Sequence, residues 1–542
     1  EIGSGLVGSE MCIRDSDKEG VCAPSGIATQ HFKLKQHYMR LSVKSIIIGA
    51  GALMLPSLGA CSEKYLTYNH TPGEKPDEPE DPDDPMPETM PKGSFKLLAD
   101  KPGQVIKGLG FEIQSDINAA PDVNDDNGPI GVPMDLVPEE RKRLAEEMLK
   151  GFRYMRVGMG IWFRGLTPDR KNFTERKQGQ AESLVQLMKD AGVEGISMEY
   201  WSPAPYWKSN GSFNDGTLKS FEDDFLEEFG DAMVNDVKYM KSQGFKVSSW
   251  GLQNESQYES VGYAHCHYTE DQLVKVFGKV APKIKALDSD IEIIYDTNSG
   301  QAGSYGPKLW QENPQLLPYV DAWVFHRIGD DSDAVMDNRD NYKANSQGKP
   351  VYQNEFEYFN NQMSEHTYEW FMVNTAQSIM NWMTFVESPK WFWLHALKGI
   401  DDHTDRDGFG LGVWRPTYAN ESHDYPDLAH GHWTYNWQNY NALAGFLKYM
   451  AWDSRRYNVQ EDEERHDNRI MAWKTPQGKL VFALTNRSDD WFEFDVTMDG
   501  AKNMKGFRYD KKGRDVEVGS NGGAATFSAK LKPWSIEFWV EQ

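Results

Sequence analysis

Val247–Ser260 reads VSSWGLQNESQYES. An apolar run of β-compatible residues, Val247–Leu252, follows a turn glycine, Gly244, and then stops on Asn254 and Glu255, both poor strand formers. The pattern predicts a short buried strand over Lys246–Gln253 with a carboxylate at its C-terminal end. The tripeptide Asn-Glu-Ser says little by itself, since it recurs at Asn420–Ser422 with no apolar run before it. Position relative to a strand carries the information, and a second carboxylate in an equivalent place tests it. Glu355, in GKPVYQNEFEYF, follows the run Pro350–Asn354 and, like Glu255, is preceded by Gln-Asn.

These two strands belong to a longer alternation. Strand-like runs fall at Gly108–Gln114, Phe152–Val157, Val193–Glu199, Lys246–Gln253, Ile291–Asp296, Asp321–His326, Pro350–Asn354 and Trp391–Leu394. Helix-like segments separate them. Pro138–Leu149 opens on a first-turn proline, and Thr269–Leu287 opens on a Thr-x-x-Gln capping box at Thr269 and Gln272. Eight strands alternating with helices predict an α/β fold, a (β/α)8 barrel, over residues 95–453. Without a Gly-x-Gly-x-x-Gly or Walker sequence, an open nucleotide-binding sheet fits less well. Residues 454–542 change to period-two runs joined by Gly- and Asp-rich turns, which predict a C-terminal antiparallel β-sandwich domain. Gly93–Ile106 is expected to add strand to that sheet before the chain enters the barrel.

With 82 acidic against 58 basic residues and a net charge of −24, the chain lacks the basic footprint that nucleic acid or an anionic membrane demands. Its 18 tryptophans and 24 tyrosines supply rings for a core and for stacking on sugar faces. The four cysteines, Cys12, Cys22, Cys61 and Cys266, form neither a disulfide framework nor paired Cys-x-x-Cys ligands. Residues 39–60 have a basic start, an apolar stretch of about a dozen residues and a small-residue end, as a signal peptide does. Residues 1–38 precede that signal; GLVGSEMCIRDS resembles translated adapter sequence, so Met39 is expected to be the true start and 1–38 an extension without function. The ending LGAC resembles a bacterial lipobox, making Cys61 the expected lipidation site. Residues 61–94, rich in Pro, Asp and Glu, are expected to be an extended tether.

At a barrel's catalytic end, Glu255 after the fourth strand and Glu355 after the seventh make a pair suited to glycosidic cleavage, one protonating the leaving oxygen and the other attacking the anomeric carbon. Here the chain resembles the clan A glycoside hydrolases. Within that clan YWSPAPYWKSNGS, Tyr200–Ser212, resembles the strand-three segment of glycoside hydrolase family 30, and the trailing sandwich matches that family's architecture. The resemblance spans residues 95–542. It implies Glu255 as acid/base and Glu355 as nucleophile. It further implies Asn254 at the sugar 2-hydroxyl, Arg156 beneath the nucleophile helping to keep it ionised, Trp201 as a wall of the first subsite, and His326 and Trp393 as sugar-site residues. Glu357 competes with Glu355, because residues two apart on a strand point the same way, but only Glu355 fits the family's Lys-Pro-x-x-x-x-Glu pattern. Glu199, ending strand three, reads equally as a pocket residue or a surface charge. His265 and His267 in AHCHY, and the acids of HTDRDG at His403–Gly408, read as polar loops rather than metal sites.

The implied activity is retaining hydrolysis of an extracellular polysaccharide of β-glucan, xylan or β-galactan type, without a cofactor. The expected partners are the glycan and, through the lipid anchor alone, the bacterial envelope membrane; the expected state is a monomer. Two departures from family 30, Asn-Glu-Ser for Asn-Glu-Pro and GLGFEIQSD for the Gly-Phe-Gly-Gly opening, leave open the family 86 agarases and porphyranases. A surface lipoprotein that binds glycans without turnover is the alternative of another class.

Overall fold

The computed structural model of the protein describes residues 85–116, 128–299, 307–358, 366–400, 410–419, 425 and 427–542. The expected extension and signal peptide, Cys61 and most of the expected tether lie outside the described residues, as do His403–Gly408 and Asn420–Ser422.

Eight parallel strands close into a barrel. They are β1 (Gly108–Glu112), β2 (Tyr154–Met159), β3 (Gly195–Tyr200), β4 (Val247–Gly251), β5 (Glu292–Ser299), β6 (Ala322–His326), β7 (Val351–Phe356) and β8 (Lys390–His395). Neighbours in sequence are neighbours in the sheet, and β8 pairs with β1 to complete the ring. Each of the eight expected runs overlaps one of these strands, with ends differing by up to three residues. Most of the described strand residues are buried on both faces, as expected for a parallel sheet wrapped in helices, and polar side chains such as Arg156, Glu199 and Gln353 interrupt the apolar runs. Inside the barrel Tyr154, Ile294, Ala322, Val324, Tyr352 and Phe392 form a closed apolar plug. Gly110 is required there, because a Cβ on it would lie 2.2 Å from the Phe392 ring.

The helices form where the sequence provides starts. Thr269 caps Glu270–Leu287 with the full reciprocal pair of bonds to Gln272, an arrangement whose loss costs about 1 kcal/mol. Pro138 begins a helix at Pro138–Arg143 that widens into a π-type turn over Leu144–Leu149, burying Leu144, Ala145, Met148 and Leu149.

Beyond the barrel, one nine-stranded sheet runs from Ser454 to Glu541 and takes in Lys92–Ile106 from the other end of the chain. That strand lies antiparallel to Ser454–Glu461 and parallel to Phe492–Thr497, so the expected N-terminal donation is present. The sheet folds over its own core of Phe95, Phe482, Phe494, Phe527, Trp539 and their neighbours. It packs on the barrel through the helix Trp437–Tyr449, where Phe446 meets Phe538 at 4.9 Å. Gly445 permits the approach, since a Cβ would fall 1.9 Å from Phe538.

Candidate active site

The two Gln-Asn-Glu triplets do the same things at two strand ends. Each glutamine ties its strand to a neighbour: Gln253 Nε2 donates to the Trp201 carbonyl at 2.7 Å, and Gln353 Nε2 to the Phe392 carbonyl at 2.9 Å. Each asparagine engages a buried ion pair behind the site. Asn254 Oδ1 accepts from Arg156 at 2.8 Å, and Asn354 Nδ2 donates to Glu199 at 3.0 Å. Each glutamate then turns towards the other. One oxygen of Glu255, one of Glu355 and a ring nitrogen of His326 all lie within 4.8 Å of one another.

Local backbone makes this possible. Glu255 lies in the turn after β4 with φ at 47°, a left-handed conformation that costs a side-chain-bearing residue about 1–2 kcal/mol. Glu355 lies within β7 rather than after it, and the pairing of β7 with β6 slips between Gln353 and Glu355. That irregularity re-aims the side chain, and the Glu355 amide is held by Gln353 Oε1 at 2.9 Å.

Arg156, on β2, is the hub. Its guanidinium reaches Glu355 at 2.6 Å, Glu199 at 2.7 Å and Glu112 at 3.6 Å, and sits 4.3 Å from the centre of the Trp201 ring. His326, at the end of β6, contacts Glu255 through Nδ1 at 2.9 Å and Glu355 through Nε2 at 3.5 Å. Burial disfavours a charged imidazole there, but the two glutamates outweigh it and raise the His326 pKa above 6.5. The donor set Glu255, His326 and Glu355 has the composition of a metal site, yet the Arg156 Nη2 already stands 3.4 Å from His326 Nε2 and supplies the cation.

Of the expected residues, Glu255, Glu355, Arg156, Trp201, Asn254 and His326 are brought together. Trp393 is not. Its indole lies fully buried on the outer face of β8 against Trp391 and Phe356, with Nε1 bound to the His395 carbonyl. A register slip between Phe392 and His395 leaves His395 as the residue of β8 that joins the site's surroundings: its Nδ1 meets Glu357 at 2.9 Å and its ring lies edge-on to Trp162. Glu199 is wholly buried on Arg156, a pocket residue rather than a surface charge. Glu357 is occupied with His395, which separates its role from that of Glu355. Glu112, on β1, went unnoticed in the sequence, although a carboxylate amid the apolar run GLGFEI was the available signal.

The loops around the site are stapled. Lys208, of the Lys-x-Asn-Gly turn, donates to Ser202 Oγ at 3.0 Å, to the Phe213 carbonyl at 2.7 Å and to the His265 carbonyl. Burial pushes its pKa down to about 8. His265 and His267 both turn a ring nitrogen to the Tyr258 carbonyl, at 2.7 and 3.1 Å, a polar loop arrangement.

No protein-family model matches the sequence, and no curated protein matches it. Solved structures do match the fold. The catalytic domain of the family 30 xylanase C from Talaromyces cellulolyticus is similar over 83% of this chain and all of its own length, at 14% identity and a TM-score of 0.61. A family 30 subfamily 8 xylanase from Clostridium acetobutylicum matches over 82% of this chain and 99% of its own, at 16% identity and 0.58. A conserved exported protein from Bacteroides fragilis matches over 82% and 100%, at 13% identity and 0.65. The chain therefore has the fold of the family 30 glycoside hydrolases, a (β/α)8 barrel with an attached β domain.

Proposed function

We propose that this protein is a retaining β-glycoside hydrolase in which Glu255 is the acid/base and Glu355 the nucleophile. The observation that carries the reading is the approach of the two carboxylates to within 4.8 Å, oxygen to oxygen, at the ends of β4 and β7. Retaining enzymes hold their carboxyl groups about 5–5.5 Å apart, whereas an inverting pair stands about 6.5–9.5 Å apart to admit a water. In the first step Glu255 gives its proton to the leaving oxygen as Glu355 attacks the anomeric carbon. In the second, Glu255 takes a proton from water, which displaces Glu355 from that carbon. Asn254, its carbonyl oxygen engaged by Arg156, offers its NH2 to the sugar 2-hydroxyl, and Trp201 walls the first subsite. The cycle is complete without a cofactor. The substrate is a polysaccharide of β-glucan, xylan or β-galactan type, met outside the cytoplasm by a protein anchored at Cys61. No described helix is long and apolar enough to cross a membrane.

Replacement of the two glutamates separates their roles. Glu355→Ala abolishes the covalent intermediate, and azide rescues it only to an inverted product. Glu255→Ala still glycosylates with an activated aryl glycoside, and azide restores turnover with retained configuration. Losses on natural glycan are on the order of 10² or more. Near wild-type rates in both variants, alongside an inactive Glu357→Ala, would overturn the assignment.

A further inference from the structure

Arg156 faces more carboxylate than one guanidinium can neutralise. Glu355 and Glu199 take its short contacts, at 2.6 and 2.7 Å, while Glu112 Oε2 stands off at 3.6 Å. Glu112 is wholly buried. Its Oε1 accepts the Trp162 indole N–H, and its Oε2 has no hydrogen-bond partner among the described residues. A buried carboxylate oxygen with neither a hydrogen bond nor a close cation is far costlier as an anion than as an acid.

We propose that Glu112 is a positioning residue held as an un-ionised carboxylic acid, which leaves the Arg156 charge to Glu199 and Glu355 and whose ionisation ends activity on the alkaline side. The groups facing it are Arg156 from β2, Glu199 from β3, Glu355 from β7 and, beyond Trp162, His395 from β8, which pairs in register with Glu112. Lys398, just past β8, helps burial hold His395 well below its ordinary pKa, so that ring adds no cation. Burial foremost, with Glu355 and Glu199 adding to it against Arg156, raises the Glu112 pKa from 4.5 to about 8. Once Glu112 ionises, it draws on the same guanidinium that holds Glu355.

Two measurements test this, and only the second rests on the glycosidase reading. The first is the melting temperature of wild type and Glu112→Gln across pH 5 to 9. The proton is held in the folded state and lost in the unfolded one between pH 4.5 and about 8, so wild-type stability falls with pH over that range while the glutamine variant lacks this loss. The margin by which Glu112→Gln outlasts wild type is therefore expected to widen from pH 5 to about 8 and then level. A margin that stays flat, or a variant that loses ground as pH rises, means Glu112 is ionised and overturns the proposal. The second is the pH profile of kcat on an aryl β-glycoside. Glu112→Gln is expected to keep its rate within about threefold at pH 6.5 and to carry its alkaline limb upward by about one pH unit. Superimposed alkaline limbs, or a variant inactive at every pH, remove the positioning role. A wild type inactive on every glycan defeats the glycosidase reading instead, and the thermal series still decides whether Glu112 holds its proton.

Discussion

Arg156→Met takes away the guanidinium that Glu199 and Glu355 share while keeping much of the volume that fills their centre. Arg156 is 1% exposed and makes charged hydrogen bonds of 2.8 Å to Glu199 and 2.6 Å to Glu355. Removing one partner of such a buried group strands the others, at about 3–5 kcal/mol. Unfolding entropy near 2.1 cal/mol/K per residue makes one degree worth roughly 1 kcal/mol in a chain of this length, so the melting temperature should fall by about 3–5 °C near neutral pH. The loss should depend on pH in one direction. Without Arg156 the stranded carboxylates take up protons in the folded state, so acidification from pH 8 to 5 narrows the gap between variant and wild type. Scanning calorimetry at both pH values measures it. Arg156→Lys, which keeps the charge but not the fork, should fall between the two. A drop below about 1 °C, or the same drop at pH 5 and pH 8, would refute the claim that Arg156 holds these carboxylates together.

Two further outcomes follow from backbone and charge. Glu255→Gly should melt about 1 °C above Glu255→Ala, because glycine accepts φ at 47° and alanine does not; equal melting would show the turn to be unstrained. His326 has a folded pKa raised above 6.5, so its contribution to stability is complete below that pH and is lost as pH climbs through the folded value. His326→Gln should flatten that part of the stability profile, and an unchanged slope would mean the ring is neutral throughout.

Periodicity read the barrel well because its strands carry short stretches of apolar, β-compatible residues and alternate with helical segments. The strand ends were harder. Glu355 and His395 point where they do because the ladder slips beside them, after Gln353 and after Phe392. Simple alternation cannot anticipate such slips, and so Trp393 was assigned to a site from which its strand turns it away. The Gln-Asn prefix pointed to the two glutamates that meet in the structure, without revealing its own use. Only in three dimensions does Asn254 meet Arg156 and Asn354 meet Glu199. Glu112 escaped notice for a related reason: one carboxylate in an apolar strand gains meaning only from what lies across the barrel.

Lys92–Ile106 is made before the barrel, yet its partners Ser454–Glu461 and Phe492–Thr497 are made after it. A chain growing from its N-terminus therefore carries a 15-residue strand with open edges through the whole synthesis of the barrel. The β domain cannot close until the ribosome has nearly finished, and passage of the chain across a membrane in an unfolded state would be helped rather than hindered by that delay. The same arrangement couples the two halves in the laboratory. Expression stopped near residue 453 leaves this strand bare and prone to self-association, and a β domain begun at 454 has a gap between Ser454–Glu461 and Phe492–Thr497 where a supplied peptide of sequence 92–106 should bind.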